Sequence, residues 1–157
     1  MLTAAQRYLL NRLNSGARDL LLGNLLSNQM NTVKGLYDFS VQGGAQGTIN
    51  LDDTLNEFGA TGDITIPDNS IVWSGIADVV TDPTSGGSAT VALGLNTTTD
   101  ILGATAIASV TGLLALVPVG TAATAVKMTA AQTLDMTIGT ADLTAGYINV
   151  YLQYWAG

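Results

Sequence analysis

The fold class is decided by residues 147–154, which read YINVYLQY. Apolar side chains stand at every second position, at Ile148, Val150 and Leu152, and the polar Asn149 lies among them. Successive side chains of a β-strand point to opposite faces of the sheet. The alternation therefore predicts a strand with one face against a core.

Segments with the same period of two occur along most of the preceding chain. They are residues 33–41, 48–51, 64–66, 71–81, 88–95, 126–128 and 134–138. Turn sequences such as residues 82–87 (DPTSGG) separate them, and no long helical pattern intervenes. We therefore predict a mainly β protein, an antiparallel β-sandwich that is jelly-roll-like and has about eight strands.

Residues 100–123 have no single interpretation. Residues 100–110 fit either a short helix or a strand. Residues 113–119 are apolar but contain Pro118. Because proline lacks a backbone N–H, this segment suits an edge strand or a loop lying on the core.

The first 32 residues change period and predict an α-helical arm. Leucines recur at helical spacing up to about Met30, and residues 14–16 (NSG) form a kink or a break between two helices. We divide the chain into this arm, residues 1–32, and a β-sandwich domain, residues 33–157. The apolar side chains of the arm are predicted contacts with other copies or with a partner: Leu9, Leu10, Leu13, Leu20, Leu21, Leu25, Leu26 and Met30.

Charge separates the same two parts. The basic residues of the arm are Arg7, Arg12 and Arg18, which we include among the predicted contacts. Asp19 is the only acid among residues 1–34, whereas residues 35–157 hold eleven acids and one lysine. The net charge of −7 argues against nucleic-acid binding. Scattered arginines, and an apolar face without Trp or Phe, argue against a membrane.

The arm is too rich in leucine to remain in water, so three destinations are open. It packs on its own body, on copies of itself or on a partner. We favour another chain as the destination, because the leucine face is wide and the arm and body have opposite charge. Trp155, beside the C-terminus, is a further candidate for an inter-chain contact.

The composition argues against an enzyme. The chain has no cysteine and no histidine, which excludes disulfides, thiolate nucleophiles and the commonest general base. The densest acidic cluster, Asp52-Asp53 with Glu57, lacks the alternating spacing of a calcium loop, and we interpret it as a solvated loop. We expect no catalytic residue, no cofactor and no bound metal.

Three other polar or glycine-rich motifs are interpreted as turns and loops. Residues 43–47 (GGAQG) open no helix and carry no lysine, so they do not resemble a phosphate cradle. Asn96-Thr97-Thr98 matches a glycosylation acceptor, and Asp68-Asn69 is a turn pair.

Part of the chain resembles a domain found in virion proteins of tailed bacteriophages. The matching residues are 64–69 (ITIPDN), 84–94 (TSGGSATVALG), 118–122 (PVGTA) and 143–154 (LTAGYINVYLQY). This resemblance implies a capsid decoration or cement protein, which bridges neighbouring major capsid subunits on the outer surface of the virion. It also implies a homotrimer that is made in the host cytoplasm.

Two other functions are alternatives to a decoration protein. A receptor- or carbohydrate-binding module of a phage tail or fibre would expose aromatic side chains such as Trp155 and Tyr151 along a groove. A pilin-like subunit would also join an N-terminal helix to a β domain. The scattered arginines and the lack of a long apolar segment argue against the pilin.

Overall fold

In the computed structural model, residues 30–51 and 65–157 are described, and strands make up most of them. The strands are β1 (Met30–Asp38), β2 (Gly47–Asn50), β3 (Thr65–Ile66), β4 (Ile71–Ser85), β5 (Thr90–Gly94), β6 (Leu102–Ala106), β7 (Gly112–Val119), β8 (Val126–Lys127), β9 (Gln132–Thr133), β10 (Asp135–Gly139) and β11 (Leu143–Trp155). A short helix, α1 (Phe39–Gln42), follows β1, and a 3-10 turn (Ile107–Ser109) precedes β7.

The longer strands form two antiparallel sheets. Sheet A has the order β1-β11-β4-β7, and the short β8 pairs with β4 as well. Sheet B has the order β2-β10-β5-β6. Strands β3 and β9 form a separate antiparallel pair. The prediction of a mainly β, antiparallel protein is confirmed.

The eight longer strands pair in a nested order. The first pairs with the last (β1 with β11), the second with the seventh (β2 with β10), the third with the sixth (β4 with β7), and the fourth with the fifth (β5 with β6). Two further pairings, β11 with β4 and β10 with β5, complete the sheets. Rolling up one long antiparallel hairpin gives this order, which is the jelly-roll arrangement.

Both sheets contribute side chains to one hydrophobic core. Val150 and Leu152 of sheet A are fully buried in the same cluster as Leu93 and Met136 of sheet B. Removing such side chains from water supplies most of the favourable free energy of folding. Two sheets that share a core in this way are the layers of a β-sandwich.

Strand β1 ends earlier than the alternation of residues 33–41 predicts. Asp38 caps α1, because its carboxylate Oδ1 accepts a hydrogen bond of 2.8 Å from the Ser40 N–H. Gly43 closes the helix with a φ of 73°, a conformation that favours glycine. Phe39 and Val41 therefore lie in a helical turn, and their prediction as strand residues was wrong.

Strand β4 continues through the predicted turn at residues 82–87 and ends at Ser85. Pro83 is tolerated because the pairing of β4 with β7 stops at Val79, so no neighbour on that side needs its missing N–H. Likewise, β11 begins at Leu143, four residues before the alternation of residues 147–154. The register of these two strands is irregular near this end, which accommodates the extra length.

The ambiguous stretch 100–123 contains two strands joined by the 3-10 turn. Strand β7 is at the edge of sheet A, as Pro118 indicated. The register between β4 and β7 shifts at the proline: Ser74 pairs with Val119 and Ile76 pairs with Ala115. A bulge at this position removes the need for the proline N–H.

The predicted arm falls almost wholly on residues 1–29, which lie outside the described residues. Met30 was predicted to belong to the helix, and this was wrong, because Met30 is the first residue of β1 and pairs with Trp155. Within residues 30–51 and 65–157, no helix has the length and apolar character needed to cross a membrane.

Candidate functional site

The outer surfaces of the two sheets differ in polarity. Among the described residues, the large apolar side chains that are exposed belong to strands of sheet A, apart from Val41 in α1. Those in sheet A are Met30, Ile71, Ile76, Val80, Leu113, Val117, Val119 and Trp155. Exposed apolar side chains that cluster on one surface are typical of a binding surface.

Sheet B presents small and polar side chains outward. Thr48 and Thr137 form an outward pair across β2 and β10, and Ala92 beside Thr137 in β5 is buried. The hydroxyls of Thr48 and Thr137 are 3.0 Å apart and share a hydrogen bond. This surface is therefore suited to water, and the candidate site is the outer surface of sheet A.

The register of sheet A places its outward side chains in rows, because cross-strand partners share a face. The rows are Thr32-Gln153-Ser74-Val119, Lys34-Tyr151-Ile76-Ala115 and Leu36-Asn149-Asp78-Leu113. In the last row, Leu36 and Asn149 are buried. We call the surface made by these rows, together with Val117 and Trp155, the sheet A face.

A groove of about 520 Å³ crosses the sheet A face. Its floor is low because the residues there are small, among them Gly75 and Ala115. Leu113 is 70% exposed and forms one wall of the groove. Tyr151 also lines it, and the Lys34 Nζ is 5.8 Å from the centroid of the Tyr151 ring, a cation–π distance.

Two tryptophans lie at the end of sheet A where β1 begins. The ring centroids of Trp73 and Trp155 are 5.1 Å apart, and the ring planes are inclined by 51°. Trp73 is brought there by a register shift, since Ser74 pairs with Gln153 and Val72 pairs with Tyr154. Trp155 is 37% exposed, so one predicted contact residue does lie on the apolar surface.

The polar motifs noted in the sequence stabilise loops. The Asp100 carboxylate accepts hydrogen bonds from the backbone N–H groups of residues 95–97. Asn96, in the glycosylation motif, donates to the Lys127 carbonyl at 2.9 Å. Asn69 occupies the turn after Asp68 with a φ of 60°. These side chains therefore have structural partners.

Ionisable groups form no reactive constellation in the described part of the chain. No group of three or more His, Cys, Asp or Glu side chains is placed there to hold a metal ion. Asp52, Asp53 and Glu57 lie outside the described residues. Burial, with a smaller effect from Asp38, raises the pKa of Tyr37 to about 12. Its neutral hydroxyl donates to the Gly43 carbonyl at 2.9 Å.

The sequence analysis did not identify most of the sheet A face. Its exposed apolar residues other than Trp155 include Ile76, Leu113, Val117 and Val119. The available signal was the continuous apolar run of residues 113–119. In an edge strand with one face on the core, such a run leaves the other face apolar as well. The arm residues named as contacts, Met30 excepted, lie outside the described residues.

The fold resembles chains in three solved bacteriophage capsids. A chain of the acidic stable capsid of Helicobacter pylori bacteriophage KHP30 aligns with a TM-score of 0.55 and 14% identity, over 80% of this chain and 86% of that one. The capsid of Ralstonia phage GP4 gives 0.56 and 16%, over 82% and 85%. The capsid asymmetric unit of cyanophage Pam1 gives 0.54 and 15%, over 82% and 86%.

The TM-scores of 0.54–0.56 show a likeness in fold, and at identities of 14–16% the likeness is one of fold alone. No protein-family model matches the sequence, and no curated protein matches it.

Proposed function

We propose that this chain is a structural virion protein that decorates a phage capsid and bridges neighbouring major capsid subunits. The observation that carries the proposal is the shared fold with chains of three phage capsids, over most of both chains in each case. Each alignment covers similar shares of this chain and of the matched chain, so each matched chain is close to this one in length. The likeness thus covers most of each matched chain.

The polarity of the two sheets supports an attachment role. A protein that only occupied solvent would gain nothing from exposed Ile76, Leu113 and Val119 on one side. The Thr-rich surface of sheet B has the character of a surface that stays in water. A body with one apolar side and one hydrated side fits a decoration on the outer surface of a shell.

The role proposed is mechanical and not catalytic. The sequence contains no histidine or cysteine, and the polar side chains described above act as loop partners. A cement protein needs no cofactor, because it stabilises the shell by linking subunits. We propose a homotrimer for this purpose, since several linked contacts raise avidity without any single tight one.

The arginines of the arm are the proposed contacts with the shell. Arg7, Arg12 and Arg18 keep their charge in water and suit an acidic partner surface. Contacts of this kind weaken as salt is added, because mobile ions screen them.

The test of this function uses virions of the phage that carries the gene. We expect the chain in purified particles in a fixed ratio to the major capsid protein, and we expect cryo-electron microscopy to show it across subunit junctions. Shells that lack the chain should bind the added protein. Its absence from particles, or its location in the tail alone, would contradict the proposal.

Matched variants then test the arginine contacts. Replacing Arg7, Arg12 and Arg18 by Gln should weaken binding to these shells, whereas Lys127→Gln, an exposed cation of the body, should bind like the parent. Equal binding by all three proteins would remove the arginines from the interface.

A second candidate function is favoured by the groove. Thr32, Ser74 and Gln153 provide hydroxyl and amide groups beside the Tyr151 ring, which is a combination suited to a sugar. A receptor- or carbohydrate-binding module predicts glycan binding that is lost in Tyr151→Ala. Binding to shells without any glycan binding favours the decoration role instead.

A further inference from the structure

The sheet A face carries exposed apolar side chains on β7 and at Ile76, although Leu36 and Asn149 of the same face are buried. Leu113 is 70% exposed and Val119 is 55% exposed, and both belong to β7, the edge strand of sheet A. Each such side chain costs free energy in water in proportion to its apolar area. We infer that residues 1–29 of the same chain pack their leucines on the sheet A face.

The segment is attached at the face itself. Residue 29 connects to Met30, the first residue of the edge strand β1. Met30 pairs with Trp155, which pairs with Ile71, and all three side chains are exposed. This row marks one end of the sheet, so the segment joins the body beside its uncovered apolar side.

The length of the segment matches the dimensions of the face. From Met30 to Leu36 the face extends about 20 Å along the strands, and from β1 to β7 it spans about 14 Å. The 29 residues that precede β1 extend about 43 Å even at the short rise of a helix. The segment can therefore turn back and still cover the face.

Composition fits the same occupant. Nine of residues 1–29 are leucine, and the described body offers the apolar partners that these side chains require. The segment has three arginines against Asp19, whereas the rest of the chain has two lysines against eleven acids. Opposite net charges favour the association of the two parts.

The covalent connection favours the segment over any separate partner. A tethered group experiences an effective concentration in the millimolar range when its linker is short. Leucines that dock on the face leave the arginines in water, because burying an unpaired charge is costly. The packing of the segment does not depend on the virion role. In this arrangement the attachment proposed above runs through the segment that covers the face, and Arg7, Arg12 and Arg18 stay free to contact a shell.

The absence of native cysteine allows a direct test with the purified full-length protein. Leu113→Cys places a thiol on the face, and Val41→Cys places one on α1, where the native side chain is equally exposed, at 72% against 70%. We expect maleimide to label Cys at 113 roughly tenfold more slowly than Cys at 41, because labelling must await local opening. Val117→Cys is a second position on the same face.

The identity of the cover is tested in the same protein. Replacing Leu21 and Leu25 by Ser should restore fast labelling at position 113 and leave position 41 unchanged. Protection by the tethered segment does not depend on protein concentration.

Three results would overturn the inference. Equal labelling at positions 113 and 41 would show an open face. Protection that disappears on dilution would mean that a second copy covers it, and protection that survives the leucine replacements would point to another occupant. None of these results bears on whether the chain is found in virions, so the two proposals fail separately.

Discussion

Trp73 and Trp155 pack together at the end of sheet A, with ring centroids 5.1 Å apart and planes inclined by 51°. Their strands, β4 and β11, are central in the sheet, and Trp155 also pairs with the first residue of β1. The contact therefore links three strands at the end where the N-terminal segment enters and the C-terminus leaves. Tilted aromatic pairs of this kind stabilise proteins beyond the area they bury.

A double-mutant cycle measures this contact. Trp73→Ala and Trp155→Ala should each lower the free energy of unfolding, and the double variant should lose about 0.5–1.5 kcal/mol less than the sum of the two losses. Urea unfolding followed by circular dichroism gives the values. The control pairs Trp155→Ala with Val41→Ala on α1, where the losses should add. Additivity in both cycles would show that the tryptophans do not interact.

Replacing Ser70 and Ser85 by alanine should have different effects on stability, because only the Ser85 hydroxyl is hydrogen-bonded in the described residues. Ser70 is fully buried, and its Oγ has no hydrogen-bond partner among the described residues. Ser85 Oγ donates to the Asp142 carbonyl at 2.6 Å and accepts from the Gly87 N–H. Ser70→Ala should leave stability unchanged or raise it by about 1 kcal/mol, whereas Ser85→Ala should lower it by about 1 kcal/mol. A larger loss at Ser70 than at Ser85 would mean that the buried hydroxyl has a partner.

One methyl group added at Gly94, at the end of β5, should destabilise the protein severely. A Cβ there would lie 1.9 Å from the Thr97 carbonyl oxygen, which belongs to backbone fixed by Asp100. Gly94→Ala should therefore lower stability by roughly 3 kcal/mol or prevent folding. Gly103 in β6 is the control, because a Cβ there meets nothing within 4 Å. Thermal unfolding should show Gly103→Ala at least as stable as the parent.

Tyr37 predicts a loss of stability at high pH. Burial raises its pKa in the folded protein to about 12, against 10.0 for the unperturbed group. Below pH 10 the phenol is neutral in both states. Between pH 10 and 12 the unfolded chain releases the proton first, so this group lowers stability by about 1.4 kcal/mol per pH unit.

Tyr37→Phe isolates that contribution. At pH 7 the variant should be less stable by about 1 kcal/mol, because the Gly43 carbonyl loses its hydrogen bond. As the pH rises from 10 to 12 the difference should vanish at about pH 11 and then change sign, so that Tyr37→Phe becomes the more stable protein. Parallel stability profiles for the two proteins over this range would show that Tyr37 titrates like an unfolded tyrosine.

Strands with one buried face were predictable from the sequence. Residues 134–138 and 148–154 alternate because one side of β10 and β11 faces the core and the other does not. Phe39 and Val41 continue such a pattern, but the Asp38 cap and the φ of Gly43 favour a helical turn instead. Alternation alone does not reveal where a cap ends a strand.

The candidate site was less predictable than the fold. In the sequence, an apolar strand residue is taken for a core residue whether its side chain lies on the buried or the exposed face. Leu113 and Ile76 could therefore not be distinguished from their buried neighbours. Their exposure depends on the register of β4 with β7, which the irregularity at Pro118 sets. Trp155 was named as a candidate contact from its place beside the C-terminus, and it is 37% exposed.

The nested strand order has a consequence for biosynthesis. Strand β11 comes after all the other described strands in chain order, yet it lies in the interior of sheet A between β1 and β4. Before β11 has been synthesised, β1 has no partner strand in sheet A, and the edge of β4 that pairs with β11 is unpaired. A prematurely terminated chain lacks this joining strand and cannot form sheet A. Only chains that include β11 can therefore present the sheet A face.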